Sequence, residues 1–148
     1  MSVALLDVNV LIAMSWVEHV HNLVTREWFI RNRAQGWATC PLTQAAFVRL
    51  SIQPPVVGAR VNMAQAMEAL EDHCRDPFHQ FFPQSMGWGD LLPEIRERMV
   101  GHQQLTDAIL LDLAIRNGGR LVTLDRRIQG LLPAGSPHQA ALEIIPAE

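Results

Sequence analysis

Apolar residues in this chain fall into short continuous runs and into longer stretches with helical spacing. The short runs, bounded by turn residues, predict strands over residues 3–6, 37–40, 78–82, 120–124 and 142–145, and the first of them has the sequence of a buried parallel strand. The helical spacing predicts helices over residues 10–13, 19–35, 42–50, 63–74, 90–100 and 107–117. Asn9, Asn62 and Thr106 are predicted helix caps, and Pro54-Pro55 marks a connection.

Strands that alternate with helices predict an α/β sandwich with a mostly parallel central sheet flanked by helices. The length of 148 residues is that of one ordinary domain, so residues 1–148 are expected to form a single domain. In such folds the carboxyl ends of the strands and the amino ends of the helices share one edge, where ligands bind.

Three aspartates map to that edge. Asp7 and Asp125 follow predicted strands, and Asp107 opens a predicted helix. Each one alone could simply cap a helix or hold a turn. Converging carboxylates repel one another, however, so the set must either hold a proton or surround a hard divalent cation. The second possibility predicts a metal-dependent enzyme.

The amino-acid composition further limits the kinds of reaction and the class of protein that are possible. Hydrophobic residues make up 49% and charged residues 18%, which is typical of a globular protein. All twelve basic residues are arginine, so mechanisms that need lysine, such as Schiff-base chemistry, are excluded. No apolar run is long enough to cross a membrane, and the N-terminus is a poor signal peptide. Cys40 and Cys74 lie far apart and are interpreted as core thiols of a cytoplasmic protein.

Several sequence blocks, taken in order, resemble one protein family. The blocks are residues 5–13, Cys40-Pro41-Leu42-Thr43, Gly101-His102, Thr106-Asp107-Ala108 and residues 123–127. No single block is decisive, but the ordered set resembles PIN-domain ribonucleases, and most closely VapC, the toxin of bacterial toxin–antitoxin pairs. The resemblance implies a PIN-like three-layer sandwich and a Mg²⁺- or Mn²⁺-dependent endoribonuclease toxin that cleaves RNA. It also implies a homodimer and a cognate antitoxin partner.

The resemblance also assigns roles to individual residues. Asp7 and Asp107 would be the principal metal ligands. Asp125 would be a further catalytic acid that binds a second metal or orients water. Asn9 and Thr106 would be supporting polar residues near the first two acids.

Position 44 departs from the family pattern. Members of the family usually carry a glutamate after the threonine of the Pro-Leu-Thr block, whereas this chain has Gln44. An amide can orient water but supplies no charge, so weaker metal binding is expected. The alternative hypothesis is therefore an attenuated or inactive PIN module that binds RNA or antitoxin without cleavage.

A basic rim is needed because an acidic site repels RNA. Arg126, Arg127 and Arg49 are the candidates for RNA binding. These arginines could equally well lie on a solvent-exposed face, or form ion pairs with the acids, without binding RNA. Another Mg²⁺-dependent phosphohydrolase is disfavoured, because Asp7 has no second aspartate two residues on and the chain has no lysine.

Overall fold

A five-stranded parallel sheet forms the centre of the molecule. The computed structural model describes residues 2–57 and 59–147. The strands are β1 (Ala4–Leu6), β2 (Trp37–Thr39), β3 (His79–Phe81), β4 (Arg120–Thr123) and β5 (Leu142–Ile144). Their order is β3-β2-β1-β4-β5, and all four pairings are parallel. The predicted fold class is confirmed.

Helices connect the strands. They are α1 (Val8–Ser15), α2 (Asn22–Asn32), α3 (Pro41–Ser51), α4 (Pro54–Val57), α5 (Met63–Cys74), α6 (Pro93–Arg98) and α7 (Leu105–Arg116). Short 3-10 turns add Arg33–Gln35, Trp88–Asp90, His102–Gln104, Arg126–Leu131 and Gln139–Ala141. Across the described residues, no helix combines the length and the apolar character that a membrane span requires.

Two apolar clusters, one on each face of the sheet, make the three layers. On one face Leu5 and Leu121 pack with α6, α7 and the turn at Arg126–Leu131. On the other face Leu6 and Val122 pack with α1, α2, α3 and α5. Alternate residues of β1 and β4 therefore point into opposite layers, as the period of a strand requires. Both strands are buried on both faces, which explains the continuous apolar sequence of β1 and the apolar centre, Leu121 and Val122, of β4.

The start of α1 differs from the prediction. Asp7, and not Asn9, is the cap: its Oδ1 accepts a hydrogen bond from the backbone N–H of Val8 at 2.7 Å. The helix begins at Val8 and extends to Ser15, so the predicted helix over residues 10–13 was too short. Asn9 lies inside the first turn, where its side chain is available for other contacts.

Three further predictions are corrected. The turn His102–Gln104 runs directly into α7, so Thr106 lies within the first turn and does not cap the helix. Residues 54–57 form the short helix α4, because proline is well tolerated at the start of a helix. The predicted helix over residues 90–100 shortens to α6, since the residue before Pro93 is restricted to extended conformations.

Candidate active site at the carboxyl edge of the sheet

The chain changes direction across the sheet at β1. From β1 it proceeds to β2 and β3 on one side, and then returns to place β4 on the other side. Ligands of open α/β sheets bind beside such a switch point, at the carboxyl ends of the strands. Asp7 immediately follows β1, Asp125 lies two residues after β4, and Asp107 is in the first turn of α7. The structure therefore brings the three predicted acids to one edge.

Thr123, the last residue of β4, links the two strand ends. Its buried hydroxyl donates to Oδ2 of Asp7 at 2.8 Å. Oγ1 of Thr123 itself accepts hydrogen bonds from Nδ2 of Asn9 at 3.0 Å and from the backbone N–H of Asp125 at 3.1 Å. One hydroxyl thus fixes the side chain of one acid and the backbone of another.

Asn9 completes this network from the first turn of α1. Its Oδ1 accepts from the backbone N–H of Leu124 at 3.1 Å, while its Nδ2 donates to Thr123. Nδ2 also lies 3.5 Å from Oδ2 of Asp7, at the limit of a hydrogen bond. Asn9 therefore holds the loop after β4 against the start of α1.

Burial and mutual repulsion act on Asp7 and Asp107. Asp7 is only 5% exposed, and its burial raises the pKa of the carboxyl group above the ordinary value. The hydrogen bonds from Thr123 and Val8 oppose this rise, and the charge of Asp125 adds to it. Burial first, and then the charges of Asp7 and Asp125, raise the pKa of Asp107 to about 6. The three carboxylates are thus close enough to influence one another's ionisation.

Asp125 is in a different electrostatic state because Arg127 binds it. Nε and Nη2 of Arg127 donate to Oδ1 and Oδ2 of Asp125 at 3.0 and 2.9 Å. The backbone N–H of Arg127 donates to Oδ1 at 2.9 Å. The hydrogen bonds from the Arg127 side chain hold the pKa of Asp125 below its ordinary value.

The donor chemistry of this edge fits a hard divalent cation. Carboxylate oxygens are the ligands that Mg²⁺ prefers, and it needs only one or two of them because it keeps several waters. A bound cation would also offset the repulsion that raises the pKa of Asp107. Across residues 2–57 and 59–147, no three histidine, cysteine or acidic side chains converge closely enough to hold an ion together as they stand. Asp7 and Asp107 are therefore the carboxylates that fit a divalent cation, since Asp125 is already bound by Arg127.

Gln44 has its hydrogen bonds on the other half of the sheet. Its Nε2 donates to Oγ1 of Thr39, at the end of β2, at 3.0 Å. It also lies 3.7 Å from Sγ of Cys74, at the end of α5. Among the described residues, Gln44 makes no hydrogen bond with any of the three acids. Position 44 is therefore part of the packing between β2 and α5.

The remaining predicted residues are spread over the surface. Thr106 is exposed one position before Asp107, and within the described part of the chain its hydroxyl makes no hydrogen bond. Arg49 is exposed on α3. Arg126 lines a depression with Leu23 on α2 and with Pro146, whereas Arg127 lines a cavity with Asp107. The two neighbouring arginines thus face different surroundings.

Thr123 is the site residue to which the sequence interpretation gave no role. It belongs to the block that carries the family resemblance, two residues before Asp125. A threonine that directly follows two apolar strand residues, Leu121 and Val122, and precedes an acid by two positions is the signal that could have identified it. Its burial and its reach to Asp7 depend on the pairing of β1 with β4, which the sequence alone does not give.

Comparisons with curated proteins agree on one family. No protein-family model matches the chain. Ribonuclease VapC38 of Mycobacterium tuberculosis is 44% identical over 82% of this chain and 84% of its own length. Ribonuclease VapC39 of the same organism is 38% identical, covering 89% of this chain and 95% of its own. Ribonuclease VapC44 is 37% identical, covering 92% and 95%.

A solved structure supports the same fold. PAE2754 from Pyrobaculum aerophilum matches 97% of this chain and 84% of its own with a TM-score of 0.61 and 19% identity, which bears on the fold alone. The three relatives match most of this chain, and all three are named ribonucleases. The hypothesis of an inactive binding module is therefore not favoured. The resemblance seen in the sequence blocks is confirmed: the chain belongs to the VapC family of PIN-domain ribonucleases.

Proposed function

We propose that this protein is a Mg²⁺- or Mn²⁺-dependent endoribonuclease toxin that acts in the cytoplasm through one PIN domain of residues 1–148. The observation that carries the proposal is that Asp7, Asp107 and Asp125 meet at the carboxyl edge of the sheet, where the hydroxyl of Thr123 joins the Asp7 carboxylate to the backbone of Asp125. Burial and the charges of Asp7 and Asp125 also raise the pKa of Asp107 to about 6. Strongly perturbed acids in one place are typical of active sites. Family membership supports RNA as the substrate class.

Asp7 and Asp107 would hold the divalent ion. Thr123 and the N–H of Val8 fix the orientation of the Asp7 carboxylate, and Asn9 keeps the loop after β4 in place. When bound, the ion supplies Lewis-acid polarisation of the phosphate and a lower pKa for a coordinated water. Asp125 is the remaining carboxylate at the edge and is the candidate to accept the proton of the attacking water.

Cleavage also needs positively charged side chains that bind the phosphates of the RNA backbone. Arg126 and Arg49 are exposed and have no acidic partner within salt-bridge distance in the described part of the chain. They are the proposed phosphate contacts outside the acidic centre. Thr106, exposed beside Asp107, is proposed to contact the same phosphate or a metal-bound water.

An antitoxin and a second copy of the chain are the proposed protein partners. Large apolar side chains are exposed on α2 and on the loop before it. They are Val17, Val20, Leu23 and Ile30, each more than two-thirds exposed. Several large apolar side chains exposed in one region are typical of protein interfaces, so this region supports a protein partner.

The test of this function is cleavage of total RNA by the purified chain. Discrete RNA fragments with Mg²⁺ or Mn²⁺, and none with EDTA, are the expected result. A small phosphomonoester serves as the comparison substrate and is expected to remain intact. Binding of RNA without any cleavage would instead favour the alternative hypothesis of an inactive PIN module.

A further inference from the structure

Both carboxylate oxygens of Asp125 are occupied by one residue. Oδ1 accepts from the backbone N–H and from Nε of Arg127, and Oδ2 accepts from Nη2. By contrast, Asp7 accepts its hydrogen bonds from neutral groups, namely the N–H of Val8 and the hydroxyl of Thr123. Among the described residues, neither Asp7 nor Asp107 has a salt-bridge partner.

Arg127 also acts on Asp107 by its charge. Burial and the charges of the other two acids raise the pKa of Asp107, and the positive charge of Arg127 partly opposes that rise. The pKa of Arg127 is raised, first by its hydrogen bond to Asp125 and to a smaller degree by the charge of Asp107. Arg127 and Asp107 line the same small cavity, together with Gln104 and Leu131. The guanidinium thus lies where a divalent cation would also be attracted, beside two of the three acids.

We propose that Arg127 is a positioning residue that acts as an internal counter-ion, holding Asp125 back from the divalent cation until the ion or an RNA phosphate displaces it. The inference rests on the proposed metal-dependent function. A carboxylate has about four acceptor sites, and donors of Arg127 occupy three of those on Asp125, so little capacity is left for a metal or a metal-bound water. Release of Arg127 therefore makes Asp125 available and frees the guanidinium for a phosphate.

The exposure of Arg127 makes this arrangement reversible. Its side chain is 84% exposed, whereas that of Asp125 is 22% exposed. Ion pairs with an exposed partner are weak and are screened by salt. The internal pair therefore competes with the cation without excluding it, and removing Arg127 is expected to tighten metal binding by about twofold to fivefold.

The test is Mn²⁺ binding, measured by the loss of the free-ion electron paramagnetic resonance signal in the absence of RNA. The wild type is compared with Arg127→Gln, Arg127→Lys and Arg126→Gln. Arg126→Gln is the matched control, because it removes an equal charge from the adjacent position without an ion pair to Asp125. Arg127→Lys keeps the charge and loses the two-pronged contact. Thermal unfolding verifies that each variant is folded.

The expected result is tighter Mn²⁺ binding by Arg127→Gln, an intermediate constant for Arg127→Lys, and the wild-type constant for Arg126→Gln. Wild-type affinity or weaker binding in Arg127→Gln, with a wild type that binds Mn²⁺, overturns this inference alone. Equal tightening by Arg126→Gln overturns it too, since a general loss of positive charge would then be sufficient. Absence of Mn²⁺ binding in all four proteins overturns the proposed function as well.

Discussion

The side-chain amide of Gln44 donates to the hydroxyl of Thr39 at 3.0 Å, and that hydroxyl lies 2.8 Å from Nε2 of His79. Because Gln44 supplies the proton of the first contact, Thr39 can direct its own proton to the histidine. A glutamate at position 44 would have no proton to give. The amide is therefore matched to its neighbours on β2 and β3.

This relationship changes the expected effect of Gln44→Glu. The carboxylate would accept the hydrogen bond that the Thr39 hydroxyl can otherwise donate to His79. The loss of that contact is expected to lower the free energy of unfolding by about 1 kcal/mol. RNA cleavage is expected to change by less than about tenfold, since Gln44 makes no hydrogen bond with the acids among the described residues. Denaturant unfolding and initial cleavage rates measure the two effects.

Gln44→Met is the matched control, because it removes the hydrogen bond without adding a charge. It is expected to lose similar stability and to cleave RNA at a rate similar to that of Gln44→Glu. A gain in cleavage well above tenfold in Gln44→Glu alone would show that position 44 attenuates the natural chain.

Replacement of Thr123 by valine removes the hydroxyl that joins Asp7, Asn9 and the backbone of Asp125. We expect a loss of about 1–3 kcal/mol in the free energy of unfolding, because buried polar groups lose their partner. Thr106→Val is the control for stability and is expected to stay within about 0.5 kcal/mol of the wild type, since Thr106 is exposed. Equal unfolding midpoints for the two variants in urea would contradict the central position of Thr123.

Asp107→Asn is expected to stabilise the metal-free protein at pH 7. The raised pKa of Asp107 means that the folded state binds its proton more readily than the unfolded state. The wild type therefore loses stability as pH rises from about 4 to about 6, and this loss persists above pH 6. The variant lacks it, so its melting temperature in EDTA is expected to exceed that of the wild type by about 1–3 °C at pH 7.

The difference between the two proteins is the informative quantity. Burial lowers the pKa of His73 and His79, so these groups cost stability as pH falls below 6.5 and oppose the trend from Asp107. They are common to both proteins and cancel in the comparison. The difference in melting temperature is expected to vanish near pH 4. A difference that is constant between pH 4 and pH 7 would contradict the assignment to Asp107.

The sequence was sufficient to predict the fold class and to place the three acids at one edge. Parallel strands that are buried on both faces leave a clear apolar signal, and an acid that ends such a run stands out, as at Asp7. Helix starts were predicted less well. Asn9 and Thr106 are residue types that often cap helices, but α1 begins directly after β1 with Asp7 as its cap, and a 3-10 turn runs directly into α7.

The contacts of the acids were predicted only in part, because an ion pair between an arginine and an acid was left open beside a role in RNA binding. The contact between Thr123 and Asp7 spans 116 positions and follows from the register of β1 against β4. The pairing of Arg127 with Asp125 depends on the 3-10 turn that brings the guanidinium back over the carboxylate. The first contact depends on tertiary geometry and the second on a local turn, and neither leaves a periodic pattern in the sequence.

The most direct test of the proposed active site is the single-turnover rate at which the chain cleaves an RNA fragment that contains its preferred site, in Mg²⁺. Asp7→Asn is compared with Glu68→Gln, an equivalent carboxylate-to-amide change at an exposed position on α5. Asparagine still caps α1, so the fold is expected to persist. We predict that Asp7→Asn lowers the rate by at least about a hundredfold while Glu68→Gln keeps the wild-type rate. A folded Asp7→Asn protein that cleaves at the wild-type rate would contradict an active site at this edge of the sheet.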